Sequence, residues 1–220
     1  MARTDALGPA LAAVLILALA PAVATASDCP QGGDLVTALS APDRGTALLC
    51  AISAQRAGRN LPVVHANRLL ARAAQGHADD MVVRQYFGHV SPGGSTLGDR
   101  VNATGYIKGR RDWELGEAIA WAQQPLDTPG TLMLAWLASP EHRAIILDRR
   151  FRDVGIGVTA GLTDGSGGLG ATAVLDFGFR TSSPTLPQWR SATSCARTQR
   201  ISQRKRARCA STSTRSKRSR

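Results

Sequence analysis

Two segments near the end of the chain decide its fold class: VGIGVT at residues 154–159 and ATAVLDFGF at residues 171–179. In both, apolar residues occupy every second position, which is the pattern of a β-strand with one buried face. A glycine-rich stretch separates the two segments, so they predict an antiparallel hairpin. Upstream of them the apolar residues recur at helical spacing instead. Helices followed by strands predict an α+β domain.

The helices are predicted from apolar periodicity and from capping residues. Asn67 is a good N-cap for a strong helix that ends near Gln85. Thr128 caps another, with Pro129 at the tolerated first position, and Pro140 must break or kink that helix because proline removes a backbone donor. The predicted helical ranges are 43–58, 67–85, 97–103 and 127–147.

The positive charge of the chain is concentrated at its C-terminus. The 220 residues carry 27 Lys and Arg against 16 Asp and Glu, a formal net charge of +11. Eleven of those basic residues, and no acid, lie in 187–220, so the rest of the chain is electrically balanced. A basic nucleic-acid-binding domain is therefore not expected. The basic segment is either an electrostatic anchor for anionic envelope surfaces or lipid headgroups, or a solvated extension.

Residues 1–26 have the pattern of a secretory signal peptide. Arg3 precedes an aliphatic run over 11–19, and the small residues Ala24-Thr25-Ala26 form a cleavage pattern. The alternative is a membrane anchor, but the run is shorter than the ~20 residues that a spanning helix needs. We expect cleavage after Ala26, a secreted or periplasmic protein, and no transmembrane segment in the mature chain.

Export to an oxidising compartment makes disulfides the expected state of the four cysteines. Cys29, Cys50, Cys195 and Cys209 can pair in three ways. Proximity in sequence favours Cys29–Cys50 and Cys195–Cys209.

Two of the four histidines lie near breaks in regular structure, where a ring can be presented to a ligand. His89 follows Gly88 in a predicted loop, and His142 opens a helical turn after Pro140. His77 lies instead on the apolar face of its helix, which favours a hydrogen-bonded core histidine, and His65 is expected at the surface. Glu117 lies in an apolar stretch and needs a partner, because an isolated buried charge is costly. His89, His142 and Glu117 therefore form a candidate site.

Six blocks, in order, resemble one protein family: LLCAISAQR at 48–56, ADDM at 78–81, FGHVSP at 87–92, GEAIA at 116–120, AWLASPEHRAIIL at 135–147 and VGIG at 154–157. Together they are similar to the bacterial branch of the CAP superfamily, which comprises cysteine-rich secretory proteins, antigen five and pathogenesis-related proteins. The resulting expected organisation is a signal peptide over 1–26, an N-terminal segment over 27–44, a CAP domain over 45–180 and a basic disordered tail over 181–220.

The resemblance implies a three-layer α-β-α sandwich around a small antiparallel sheet, with a third strand near 106–110. It also implies a central cleft in which two histidines and two acids bind a divalent metal such as zinc. By motif, His89 is the first histidine, Glu117 the first acid, and His142 belongs to the bacterial Ser-Pro-x-His-Arg block. Asp99 is the candidate for the fourth ligand, and Glu141 is expected to be a surface charge.

The resemblance does not imply one reaction, because family members are linked to lipid or sterol binding, antimicrobial action and protease-related roles. The leading hypothesis is a secreted binding or effector module that acts at the cell envelope, with a small hydrophobic ligand among its candidate partners. The alternative is a zinc hydrolase, since two imidazoles and a carboxylate leave one coordination position open for water. In the third hypothesis the same residues form a hydrogen-bonded cluster without a ligand.

Overall fold

The computed structural model of the chain describes residues 29–181. Within that range the chain forms five helices and four strands. The helices are α1 (Ala41–Ala57), α2 (Arg68–Arg84), α3 (Leu97–Thr104), α4 (Pro129–Ala138) and α5 (Pro140–Ile146), and the strands are β1 (His65–Ala66), β2 (Trp113–Gln123), β3 (Asp153–Ala160) and β4 (Gly170–Arg180). The predicted signal peptide, the basic tail, Cys195 and Cys209 lie outside the described residues. None of the helices in 29–181 is both long enough and apolar enough to cross a bilayer.

The strands form one sheet in the order β1-β3-β4-β2. β3 and β4 pair antiparallel, which confirms the predicted hairpin, and β4 also pairs antiparallel with β2 along all 11 residues of both strands. The two residues of β1 add a short parallel strand beside β3, so the sheet is antiparallel except at that edge.

The third strand is β2, so its expected position at 106–110 was wrong. Tyr106 and Ile107 are buried against α2 and α3 instead, in the turn that follows α3. β2 lacks the clear alternation of the hairpin strands because the acid Glu117 and the small residues around it weaken its apolar pattern. Burial on both faces is not the reason, because β4 is buried over 170–178 and still shows the period of two.

Helices cover both faces of the sheet, and together with the mixed helices and strands this confirms the α+β fold. Ala118 of β2 packs with α1, α4 and α5, whereas Ile119 packs with α2. Successive strand residues point to opposite faces, so Glu117 lies on the same face as Ile119, under α2. The larger core, on the α1, α4 and α5 face, includes Leu48, Ile52, Leu132, Trp136, Ile146, Val154, Leu175 and Phe177.

The helix boundaries follow the capping signals in the sequence. Asn67 caps α2 by accepting hydrogen bonds from the amides of Leu69 and Leu70, and Gln85 ends it in the left-handed conformation. α1 starts slightly earlier than predicted, because Ser40 is its N-cap. The break at Pro140 is confirmed, since Ser139 ends α4 and also caps α5.

A disulfide and a buried arginine hold α1 in place. A disulfide joins Cys29 to Cys50, as proximity in sequence predicted. The buried side chain of Arg56 donates to the carbonyl oxygens of Ile146 at 2.6 Å and Asp148 at 3.0 Å. Arg56 therefore holds the C-terminal end of α5, the helix that carries His142.

Candidate functional site

Glu117 is the centre of the candidate site. It lies in the middle of β2, at one edge of the sheet, and only 3% of its side chain is exposed. Its Oε1 accepts a hydrogen bond from Nδ1 of His89 at 2.7 Å, and its Oε2 accepts one from Nη2 of Arg100 at 2.6 Å. Nε2 of His77 lies 3.9 Å from Oε2. The buried carboxylate thus has the partners that its desolvation requires.

The loop over residues 86–96 presents His89, and two side chains hold that loop. Nε2 of His77 donates to the carbonyl of Gly88 at 3.0 Å. Nη1 of Arg100 donates to the carbonyls of His89 and Ser95, both at 3.1 Å. Arg100 therefore fixes the backbone of His89 and the carboxylate that orients its ring.

His142 approaches His89 from α5. Ser139 Oγ accepts from the amide of His142 at 3.4 Å, which caps the first turn of the helix. α5 packs on β2 so closely that Ile145 lies beside Gly116, the neighbour of Glu117. The ring centroids of His142 and His89 are 6.4 Å apart. In the part of the chain that the structure describes, no hydrogen-bond partner holds the His142 ring.

The pKa values of the two imidazoles are shifted in opposite directions. The hydrogen bond to Glu117 raises the pKa of His89 above its ordinary value, against a smaller opposing effect of burial. Burial, followed by the nearby charge of His89, lowers the pKa of His142. Burial also lowers the pKa of His77. Because Nδ1 of His89 donates to Glu117, the neutral ring keeps the lone pair of Nε2 free for a ligand.

Asp176 lies directly opposite Glu117 on β4 and was not among the predicted site residues. It is fully buried, and neither of its carboxyl oxygens has a hydrogen-bond partner within residues 29–181. Burial, followed by the negative charge of Glu117, raises the pKa of Asp176 well above its ordinary value. The pKa of Glu117 moves the other way: burial opposes the shift, but His89 and Arg100 together lower it. Glu117 is therefore the ionised member of the pair.

The remaining sequence candidates lie elsewhere. The carboxylate of Asp99 accepts hydrogen bonds from the amide and hydroxyl of Thr96 at 3.0 and 2.7 Å, so it caps α3. Glu141 is exposed and accepts from Ser139 Oγ at 3.0 Å. His65 is exposed and His77 is a buried, hydrogen-bonded histidine, as expected.

Sequence reasoning missed two members of the site. Asp176 could have been found, because it is an acid inside the strand pattern of 171–179 on the face opposite Ala173 and Leu175. Arg100 gave no signal, because its spacing on α3 does not distinguish it from a surface arginine.

The donor set suits a metal ion only in part. No group of three His, Cys, Asp or Glu side chains in residues 29–181 is arranged to hold one. Two imidazoles sharing a zinc ion at about 2.0–2.1 Å from each nitrogen have ring centroids about 5–6 Å apart, close to the separation of His89 and His142. Both oxygens of Glu117 are engaged, so this carboxylate fits the role of a residue that orients a metal-binding imidazole.

Several solved structures are similar to this chain. The chain resembles an extracellular protein with an SCP domain from Bacillus anthracis, with 26% identity and a TM-score of 0.48; the match covers 63% of this chain and 44% of that protein. It also resembles an outer surface protein from Borrelia burgdorferi, with 20% identity and a TM-score of 0.50, over 61% of this chain and 90% of that protein. A cysteine-rich secretory protein from Staphylococcus aureus is also similar, with 16% identity and a TM-score of 0.45, over 62% of this chain and 38% of that protein. The chain thus spans less than half of the Bacillus anthracis protein. Among curated proteins no match was found.

The family comparison decides the assignment. The model of the cysteine-rich secretory protein family, CAP, matches residues 49–175, which is more than half of the 220 residues. That range contains His89, Arg100, Glu117 and His142, and it ends within β4, one residue before Asp176. The chain therefore belongs to the cysteine-rich secretory protein (CAP) family.

Proposed function

We propose that this chain is an extracellular binding or effector module of the cell envelope, with a cleft that takes a divalent metal ion such as zinc. The family, the signal-type sequence over 1–26 and the Cys29–Cys50 disulfide support a location in an oxidising compartment. The observation that carries the metal proposal is the His89 ring, which Glu117 holds with one nitrogen free beside His142.

His89 and His142 would hold the ion, and Glu117 would orient His89. When bound, zinc supplies an electrophilic centre to which an oxygen or nitrogen atom of a ligand can bind. Arg100 keeps Glu117 ionised and in place, and its bonds to the carbonyls of His89 and Ser95 keep the loop closed over the carboxylate.

The geometry favours binding over the zinc hydrolase. A hydrolase of this type needs a general base that can take a proton from water. Arg100 and His89 occupy both oxygens of Glu117 and lower its pKa, so this carboxylate is a poor base. Asp99, the other candidate acid, serves as a helix cap.

A small hydrophobic ligand has a separate candidate place. A cavity of about 340 Å³ lies between α1, the start of α2 and β3, and its walls are mainly apolar. Leu49, Ala71 and Ile156 supply apolar surface, and Asn67 and Arg68 lie at the rim with polar groups. This combination suits a ligand with an apolar body and one polar end.

The basic segment over 187–220 supports a second contact, with anionic envelope lipids. The full chain should bind anionic liposomes with an affinity that falls as salt rises. A variant with all eleven Lys and Arg of 187–220 replaced by Gln should lose that binding. Equal binding by both proteins would remove the segment from the proposal.

The metal proposal is tested by thermal unfolding of the full chain after EDTA treatment, with and without added Zn²⁺. A ligand that binds only the folded state at ~100 times its dissociation constant adds ~2.7 kcal/mol, so Zn²⁺ should raise the midpoint visibly. His89→Ala and His142→Ala should each abolish the increase, whereas His65→Ala, a change at an exposed histidine, should keep it. Without an increase in the wild-type protein, the cluster is a structural one.

A further inference from the structure

A second cavity has a volume of about 430 Å³. α2, α3 and the loop over 86–96 form its walls. The volume lies within the ~300–1,000 Å³ range of small-molecule sites.

The charges around this cavity favour an anion. Three arginines line it, at positions 72, 84 and 100, against one carboxylate, Asp80. A hydrogen bond from Tyr86 lowers the pKa of Asp80, which favours its ionised form. Three arginines against two carboxylates, Asp80 and the Arg100 partner Glu117, leave a net charge of +1.

The structure holds these three arginines in position and leaves some of their hydrogen-bond donors without a partner in the described range. Arg72 reaches across to α3, where its Nη2 donates to the carbonyl of Thr104 at 3.0 Å, and it pairs with no acid in the described range. Arg84 lies 3.6 Å from Asp80, which leaves most of its donors free. The side chain of Arg100 is only 10% exposed, and its Nε has no hydrogen-bond partner within 29–181.

Two glycines in the lining have no structural reason to be glycine. A Cβ atom at Gly76 or Gly93 would meet nothing within 4 Å, and neither residue has a positive φ. In the interior of α2, glycine is less favourable than alanine, because it loses more backbone freedom on folding. Its place in the stripe of residues 72, 76, 80 and 84, which share one face of the helix, explains the choice: a side chain at position 76 would occupy the cavity.

We infer that this cavity binds a phosphate monoester with a small polar body. A phosphate monoester carries about −1.5 to −2 charges at pH 7, and the planar fork of arginine donors matches its oxygens. The hydroxyl of Ser95 suits a polar body such as glycerol. Thr104 donates its hydroxyl to the carbonyl of Val101 and Ser91 accepts from Tyr86, but the oxygen atoms of both can still accept a hydrogen bond. A phosphate monoester of this kind occurs as a soluble ester or in the headgroup of a lipid.

The inference is tested by calorimetric titration of the full chain with glycerol 3-phosphate at low salt, with neutral glycerol as the control ligand. Only the phosphate ester should bind. Arg72→Ala and Arg84→Ala should each weaken binding about tenfold, which is typical for the loss of one hydrogen bond to a charged group. Arg149→Ala removes the same charge from an exposed position outside the cavity and should have no effect.

Gly76→Met separates a filled cavity from a damaged fold. The substitution replaces a helix-interior glycine with a good helix former, so the unfolding midpoint should not fall, yet glycerol 3-phosphate binding should disappear. Unchanged binding by Gly76→Met, or an equal loss in Arg149→Ala, would overturn the inference.

A parallel titration with vesicles that contain phosphatidic acid identifies the source of the phosphate. Binding only to these vesicles, lost in Gly76→Met, would assign a lipid headgroup, whereas binding of the soluble ester would assign a soluble ligand. Absence of both would contradict the inference. Vesicle binding that Gly76→Met leaves intact, without binding of the soluble ester, would assign the contact to other basic residues and overturn it as well.

Discussion

The site depends on one residue, Glu117, because it is the acid that connects the loop, α3 and the sheet. Its carboxylate is nearly inaccessible to water, yet it is kept ionised by His89 and Arg100. Removing one member of a buried ion pair leaves the other charge without compensation. The free energy of unfolding should therefore respond strongly to the loss of the Arg100–Glu117 ion pair.

Arg100→Gln should destabilise the protein by about 3 kcal/mol, because it leaves the buried Glu117 carboxylate with His89 as its remaining close partner and without the arginine charge. Urea unfolding measures the change. The double variant Arg100→Gln/Glu117→Gln should recover much of the loss, since two neutral amides replace the uncompensated charge. Arg149→Gln is the matched control on the surface, and a loss no larger than in this control would contradict the assigned pairing.

Asp176 should make stability depend on pH. Its pKa in the folded protein is raised above the ~3.9 of an unfolded chain. At a pH between the two pKa values, Asp176 is protonated in the folded protein and ionised in the unfolded chain. Its contribution to stability is therefore complete below the pKa of the unfolded chain and is lost as the pH rises through the pKa of the folded protein.

Asp176→Asn, which cannot titrate, should therefore gain stability relative to wild type as pH rises from 4 to 8. Thermal unfolding in EDTA, at several pH values, measures that difference. Asp112→Asn changes an exposed acid and is the control. A difference between Asp176→Asn and wild type that does not change with pH would contradict the assignment of the buried proton.

At the scale of elements, the contact between α2 and β3 determines where the site can form. Gly155 and Gly157 lie under α2, and a Cβ atom at either position would overlap its backbone, at Leu70 and Ala71 or at Ala74 and Gln75. Helix and strand therefore meet backbone to backbone. This close approach brings His77 of α2 near Glu117.

Gly157→Ala should push α2 away from the sheet and destabilise the protein by about 2–3 kcal/mol, the usual cost of overpacking. Gly45→Ala, in α1, is the matched substitution: nothing lies within 4 Å of its added Cβ, so a gain of about 0.5–1 kcal/mol is expected. Urea unfolding of both variants measures the contrast. Similar effects for the two substitutions would contradict the role of Gly157.

At the scale of the whole molecule, the N-terminal segment is tied to the core by the Cys29–Cys50 disulfide, across 21 residues of sequence. Val36 of that segment is fully buried in the larger core. Crosslinks that close loops of this length are worth about 3 kcal/mol. The segment is thus part of the domain, which extends the folded unit upstream of residue 45.

The variant Cys29→Ser/Cys50→Ser should therefore lose about 3 kcal/mol of stability, measured by urea unfolding. The loss should be accompanied by earlier proteolysis within residues 29–40, because only packing and hydrogen bonds, such as that from the Val36 amide to the carbonyl of Asp127, would then hold that segment. An unchanged midpoint would show that packing of residues such as Val36 is sufficient.

Local signals in the sequence determined most of the helices, the hairpin and the family. Capping residues such as Asn67 and Thr128, the break at Pro140 and the period of two in 154–159 depend on neighbours in sequence, so they can be read without the fold. The ordered family blocks also located His89, Glu117 and His142, and proximity predicted the Cys29–Cys50 pair.

Only the tertiary structure decided the position of β2 and the partners of Glu117. β2 carries an acid and small residues at positions where the hairpin strands carry larger apolar ones, which weakens the alternation that reveals a strand. Arg100 is 17 residues from Glu117 and Asp176 is 59 residues away, and nothing local predicts which charges meet across a packed interior. The sequence thus determined which titratable and charged side chains are available. The packing of α2, α3 and α5 around the edge of the sheet decided which of these side chains lie close enough to form a hydrogen bond or an ion pair, or to bind the same ligand.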